Sequence, residues 1–212
     1  MSLLAEFFPT VLLLELTPGP NMAYLALLSL SRGARPALVA VLGVAMGLTV
    51  HALVAALGAG ALIARSPPLY ETLRWCGVAY LLWLAYEGWR GEADSAPGTA
   101  GFGDAGSRLL WRGFATNLLN PKSVLFFVSV VPRFVIEPQG EPQGAVPTVI
   151  VQMAILGTLY VAVATAVHVL VVLLAAQLRP WLVAGARRDR VRRMLSLLLA
   201  GVAAWLALST GR

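Results

Sequence analysis

Two stretches place charge and proline inside apolar sequence: ELTPGPN at 15–21 and NLLNPKS at 117–123. The first holds Glu15. The second holds Lys122, the one lysine in a chain whose other fifteen basic residues are arginine. So strong an arginine bias would not supply a lysine by default, so this position asks for an ammonium. Charge within a membrane segment is costly and marks a functional site. Each stretch also pairs a capping residue with proline, Thr17-Pro18 and Asn120-Pro121. Thr or Asn caps free backbone N–H groups and proline suits the first helical position, so each pair predicts a helix that stops and restarts. A restarted helix presents free N–H donors and about half a positive charge to an anion. Taken singly, each proline reads as an ordinary kink, and Lys122 as a side chain snorkelling to the headgroups. Two breaks, each beside an ionisable residue, point instead to a shared site.

The elements that carry these stretches follow from composition. Of 212 residues, 58% are hydrophobic and 12% charged, with mean hydropathy +0.78. That leaves too little polar surface to enclose a soluble core. There are about six apolar segments, near 3–31, 36–64, 69–89, 109–131, 146–178 and 194–210, several of them long enough to cross a bilayer, which takes about 20 helical residues. No Lys or Arg precedes the first segment, which does not read as a cleaved signal. Cys76 is the single cysteine, which excludes an internal disulfide or a cysteine-based metal cluster. The expected fold is therefore an all-α integral membrane protein.

Its organisation is expected to be two inverted three-helix repeats, 1–90 and 108–212, joined by a flexible cytoplasmic linker at 91–107. The Gly-, Ala- and Asp-rich composition of GEADSAPGTAGFGDAGSR has little apolar mass to bury. Three segments per half give the halves opposite orientations, and the breaks fall in corresponding segments, one and four. Broken backbone at membrane depth is tolerated where it is buried or lines a cavity. Inverted repeats with broken helices are the arrangement of a transporter with a midplane site. Eleven of the fifteen arginines lie after segments one, three and five, so both termini are expected to face outward. The basic stretch at 187–193 reads as a juxtamembrane cluster meeting anionic lipid, not as a nucleic-acid site.

LTPGPN, GVAMGL at 43–48, GVAYLLWLAYEGW at 77–89 and GFATNLLNPKSVLFF at 113–127 followed by VPRF together resemble the LysE/RhtB-type amino-acid exporters. The similarity runs in order along nearly the whole chain. It implies export of amino acids or close derivatives across a bacterial inner membrane, driven by the proton gradient, by a carrier with no cofactor and no enzymatic activity. The chain contains no GxxxxGK[ST] nucleotide loop.

A zwitterionic cargo must exchange water for partners at both its carboxylate and its ammonium. The expected binding set is Thr17, Pro18, Gly19, Pro20 and Asn21 at the first break, with Asn117, Asn120, Pro121, Lys122 and Ser123 at the second. The restarts after Thr17 and Asn120, helped by Lys122, would take the carboxylate. Lys122 would pair with an acid when the site is empty. Glu15 would accept the ammonium or carry the coupling proton, exchanging partners with Lys122. Glu87 lies at a segment end, where an acid at headgroup level is ordinary.

Gly43, Gly47, His51, Ala55 and Gly58 fall on one helical face, where small residues favour close packing. His51 reads first as a packed histidine, with a proton relay as its alternative. His168 follows Tyr160 and Ala164 at helical spacing and also reads as structural. Gln152 lines the pathway or joins helices. The tryptophans near segment ends suit an aromatic belt.

Three other classes remain in view. A metal exporter would want clustered carboxylates, imidazoles or thiolates, and the intramembrane set is sparse. Ser123 beside Lys122 suggests a hydrolase pair, but adjacent helical residues do not face each other. A passive channel is not excluded by sequence. Few intramembrane acids favour a neutral cargo over a dicationic one. The glycine faces admit packing within a monomer or in a homodimer.

Overall fold

A computed structural model describes residues 3–58, 66–90, 104–136, 149–182 and 187–209, and every regular element among them is helical. Segment one is α1 (Leu3–Leu16) and α2 (Pro20–Arg32). Segment two is α3 (Ala34–Ala56) and segment three is α4 (Pro67–Arg90). Segment four is α5 (Asp104–Leu118) and α6 (Pro121–Leu125), the latter continuing through a π turn at Phe126–Val130 and a 3-10 turn at Val131–Phe134. Segments five and six are α7 (Val149–Leu182) and α8 (Arg187–Ser209). Among the described residues, each of the six expected segments is mainly helical. The linker expected at 91–107 lies outside the described residues up to 103, and 104–107 form the first turn of α5.

Among the described residues, two helices, Ala34–Ala56 and Val149–Trp181, are long and apolar enough to span a membrane by themselves. Segments one and four pass as bent pairs, turning by 55° and 49° at their breaks. The discontinuity expected of both is present. At 24 and 23 residues, α4 and α8 are about 35 Å long at 1.5 Å per residue, and their charges sit towards their ends.

The first restart differs from expectation. The cap position is Gly19, in extended conformation and with no side-chain cap, and Pro20 occupies the first turn of α2. Thr17 does not cap, because its hydroxyl donates back to the Leu13 carbonyl at 3.0 Å. That bond holds the hydroxyl at the end of α1, so of the two prolines in TPGP the second begins the new helix. At the second break the expected cap is present: the Asn120 side chain accepts from the Lys122 amide at 3.0 Å, with Pro121 following.

Packing uses glycine at close approaches. A Cβ on Gly43 would overlap the Leu110 carbonyl, and one on Gly113 the Ala40 carbonyl, so α3 and α5 meet backbone to backbone. Gly58 does not share this face; it lies in the turn after α3 with φ +77° and open space around it.

Contacts along the chain give the helix directions. The Arg74 guanidinium, early in α4, donates to the Ala207 carbonyl late in α8, while Arg193 lies 5.3 Å from the centroid of the Trp89 ring. These two helices are antiparallel. So are α3 and α7, since Gly33 adjoins Arg179 and Gly157 adjoins Ala52. Phe7 of α1 meets Phe134, 5.1 Å between rings, while Lys122 reaches Leu14, so α1 runs against the second limb of segment four. In contrast, α3 and α5 are parallel, Ala40 meeting Gly113 and Gly47 meeting Asn117. Segment one and α7 are parallel too: Glu15 meets Tyr160, and the Ser29 hydroxyl donates to the Val172 carbonyl at 2.7 Å.

Candidate functional site

The chain turns away from α1 at Pro18 and Gly19, and the Leu14 carbonyl accepts from the Thr17 amide at 3.1 Å in a tightened last turn. Lys122, from the other break, adds a side-chain donor: its Nζ donates to the Leu14 carbonyl at 2.7 Å and to the Thr17 carbonyl at 2.8 Å. The ammonium thus sits at the negative end of α1, a placement worth about 0.3–2 kcal/mol depending on burial. Its stem crosses Gly19 so closely that a Cβ there would lie 3.3 Å from Lys122 Cδ. The two breaks are therefore in contact. The Lys122 side chain is thus directed to the end of α1 rather than along its own helix. The expectation that it pairs with an acid in the empty site is not met by Glu15: two of its three N–H donors go to the carbonyls instead.

Glu15 turns the other way and is buried. Its Oε1 accepts from the Tyr160 hydroxyl at 2.7 Å, and its Oε2 lies 3.5 Å from His168 Nε2. Both partners stand on one face of α7, and both are buried. Sequence reasoning set His168 aside as structural and gave Tyr160 no role. The signal was the Tyr160, Ala164, His168 stripe, polar at both ends within an apolar helix.

At the second break, Asn117 Nδ2 donates to the Ser123 hydroxyl at 3.2 Å, joining α5 to α6. Ser123 also interacts with the Tyr160 hydroxyl. His168, Glu15 and Tyr160 thus form one polar group and Asn117 with Ser123 another, with Ser123 acting electrostatically on the Tyr160 hydroxyl between them. Asn117 Oδ1 is buried without a partner and rests on Gly47, where a Cβ would come within 2.8 Å of it. One turn along α3, His51 interacts with the Leu118 carbonyl, and its Nδ1 is unpartnered. Asn21, buried at the start of α2, likewise has an unpartnered Oδ1. Pro20 and Pro121 are buried beneath the restarts, whereas Thr17 and Pro18 are exposed.

Aromatic rings separate His51 from Glu15. Phe126 stacks on Tyr160 at 4.5 Å, and Phe127 meets it edge-on at 4.9 Å while lying 6.3 Å from the His51 ring. The π turn beginning at Phe126 directs both phenylalanines to this place, and such turns recur at functional sites.

The remaining expectations fall outside this centre. Gln152 accepts from the Ile136 amide and donates to its carbonyl, at 2.8 and 2.9 Å, so it joins segment five to segment four. Glu87 is ion-paired with Arg112 at 2.9 Å. Trp75, Trp83, Trp89, Trp111 and Trp181 are exposed. Among the described residues, no three His, Cys, Asp or Glu side chains cluster.

Residues 12–210 match the family model described as LysE type translocator. The chain belongs to this family. The LysE-type match covers both breaks and both polar groups. Among similar proteins is the homoserine/homoserine lactone efflux protein of Salmonella typhimurium (strain LT2), 33% identical over 153 residues, 69% of this chain and 73% of that one. The threonine efflux protein of Escherichia coli (strain K12) is 34% identical over 124 residues, 57% of this chain and 60% of that one. The leucine efflux protein of Enterobacter sp. (strain 638) is 33% identical over 121 residues, 57% of each chain. These LysE-type relatives are amino-acid efflux proteins, and members of the family are transporters rather than enzymes. No solved structure matches the chain. As a LysE-type translocator with apolar and broken helices, it is a multi-pass membrane protein.

Proposed function

We propose that this protein exports neutral amino acids from a bacterial cytoplasm across the inner membrane by proton antiport, with the cargo held at the midplane between the two helix breaks. The observation that carries the reading is the contact of the breaks: Lys122 of the second satisfies the Leu14 and Thr17 carbonyls of the first. Charged and uncapped helix ends are thereby gathered at one depth, as a zwitterion requires. Buried Glu15 lies in the same place and carries the coupling proton, with the Tyr160 hydroxyl and His168 imidazole to hand it on.

Helix directions support two inverted repeats. Exchanging segments one, two and three for four, five and six maps the antiparallel pairs onto themselves. It also maps the parallel α3–α5 pair onto segment five with segment one. Both termini then lie on the periplasmic side. Three neutral amino acids or derivatives named for the relatives, homoserine, threonine and leucine, support a neutral cargo. Only small changes of pocket shape would separate a hydroxylated from an aliphatic side chain.

The test is efflux from proteoliposomes loaded with labelled amino acids, with and without an imposed pH gradient. Saturable efflux of a neutral subset, accelerated by the gradient, is the expected result. Flux that neither saturates nor responds to the gradient would make the protein a passive channel.

A further inference from the structure

The cradle that holds Lys122 is made of parts that are indifferent to where an ammonium comes from. Two backbone carbonyls at the end of α1, Leu14 and Thr17, accept from Nζ at 2.7 and 2.8 Å. The helix end contributes partial negative charge, and Glu15, buried one residue from Leu14, adds a carboxylate to the field around the ammonium. The arrangement is open on one side, since Thr17 and Pro18 are exposed. Gly19 leaves room for the stem to lie across the break.

Lys122 is not the only group that could fill this place. The two breaks are built alike, with Gly19-Pro20-Asn21 in one corresponding to Asn120-Pro121-Lys122 in the other. The same position thus carries a neutral amide on one side and a tethered ammonium on the other. Lys122 also differs from a structural cap in its reach. It bonds to a helix about 105 residues away in sequence rather than to its own, so a change in how the breaks meet must break those bonds.

We propose that the Leu14–Thr17 cradle is the binding site for the cargo's ammonium, and that Lys122 occupies it as a tethered surrogate while the carrier is empty. When cargo arrives, its ammonium takes the carbonyls, and the displaced Lys122 ammonium turns to the cargo carboxylate. At either stage an ammonium fills the cradle and is hydrogen-bonded to its carbonyls, so the vacant carrier does not bind a stray cation there. The proposal rests on the export reading for the identity of the cargo; the cradle itself is defined by its chemistry, a primary ammonium.

Two measurements test it. In Lys122→Ala the cradle is vacated, and ethylammonium should raise the melting midpoint of the purified variant, whereas tetramethylammonium, which has no N–H donor, and sodium should not. Equal effects of all three cations, or none, would overturn the cradle. In the wild-type protein, labelling with lysine carrying 15N at Nζ gives one side-chain ammonium signal, because Lys122 is the only lysine. An exported amino acid should shift that signal, and the 2-hydroxy acid with the same side chain should leave it in place. A signal indifferent to an amino acid that the same preparation exports would overturn the displacement. Absence of efflux of any amino acid by the wild-type protein, alongside a positive ethylammonium result, would sink the export reading and leave the cradle standing.

Discussion

The Tyr160 hydroxyl donates to Glu15 Oε1 at 2.7 Å, joining the middle of the longest helix to the end of α1. The same hydroxyl interacts with Ser123 at the start of α6. The phenol thereby stands between the two breaks, bonded to the first and close in influence to the second.

Tyr160→Phe should fold, because its stacking on Phe126 and its edge contact with Phe127 do not need the hydroxyl. Losing one interhelical hydrogen bond should lower stability by about 1–2 kcal/mol. Gradient-driven efflux in proteoliposomes should fall by at least about tenfold, equivalent to about 1.4 kcal/mol. Unchanged gradient-driven efflux would remove Tyr160 from the coupling chain.

His168→Gln keeps a donor near Glu15 Oε2 but removes the imidazole, the side chain's proton-exchanging group. The variant should remain folded and export cargo, with a rate that varies less with pH. A pH profile superimposable on that of the wild-type protein would return His168 to a packing role.

The two breaks should respond differently to loss of their capping candidates. Asn120→Ala removes the acceptor for the Lys122 amide and should cost about 1 kcal/mol. Asn120→Asp should recover most of it. Thr17→Val loses a bond back into α1 rather than a cap and should change the unfolding midpoint much less. Equal costs at the two positions would contradict the restart at Gly19-Pro20.

Glycine substitutions should separate close approach from mere occurrence. Gly113→Val forces a side chain into the Ala40 carbonyl and should destabilise by more than the 1–3 kcal/mol or so typical of overpacking, because backbone cannot move aside cheaply. Gly201→Ala adds a methyl to open space and should leave the melting midpoint unchanged or slightly higher. Equal destabilisation by the two would show that the α3–α5 contact is looser than described.

The two breaks and the charges beside them were legible because their signals are local. Lys122 stood out against fifteen arginines, Glu15 against an apolar run, and Asn120-Pro121 named its own cap. The error at Thr17 was also local. A threonine before a proline can cap the next helix or bond back to the one it ends, and sequence does not distinguish these. Tyr160 and His168 were underread for a different reason. A polar pair at helical spacing gains its meaning from what faces it, and the facing residue, Glu15, is 145 positions away from Tyr160.

Sequence by itself determined the membrane class, the six helical segments and the two interruptions. Each of these depends on hydrophobicity, segment length and proline chemistry within about 20 neighbouring residues. Tertiary structure alone decided the partners: Lys122 with the Leu14 and Thr17 carbonyls, Glu15 with Tyr160 and His168, Asn117 against Gly47. Apolar helices can pack in many ways with nearly equal hydrophobic burial in a bilayer, so partners are selected by close backbone approach at small residues and by satisfaction of the few buried polar groups. Those conditions are met only by the whole assembly, across separations that local sequence does not record.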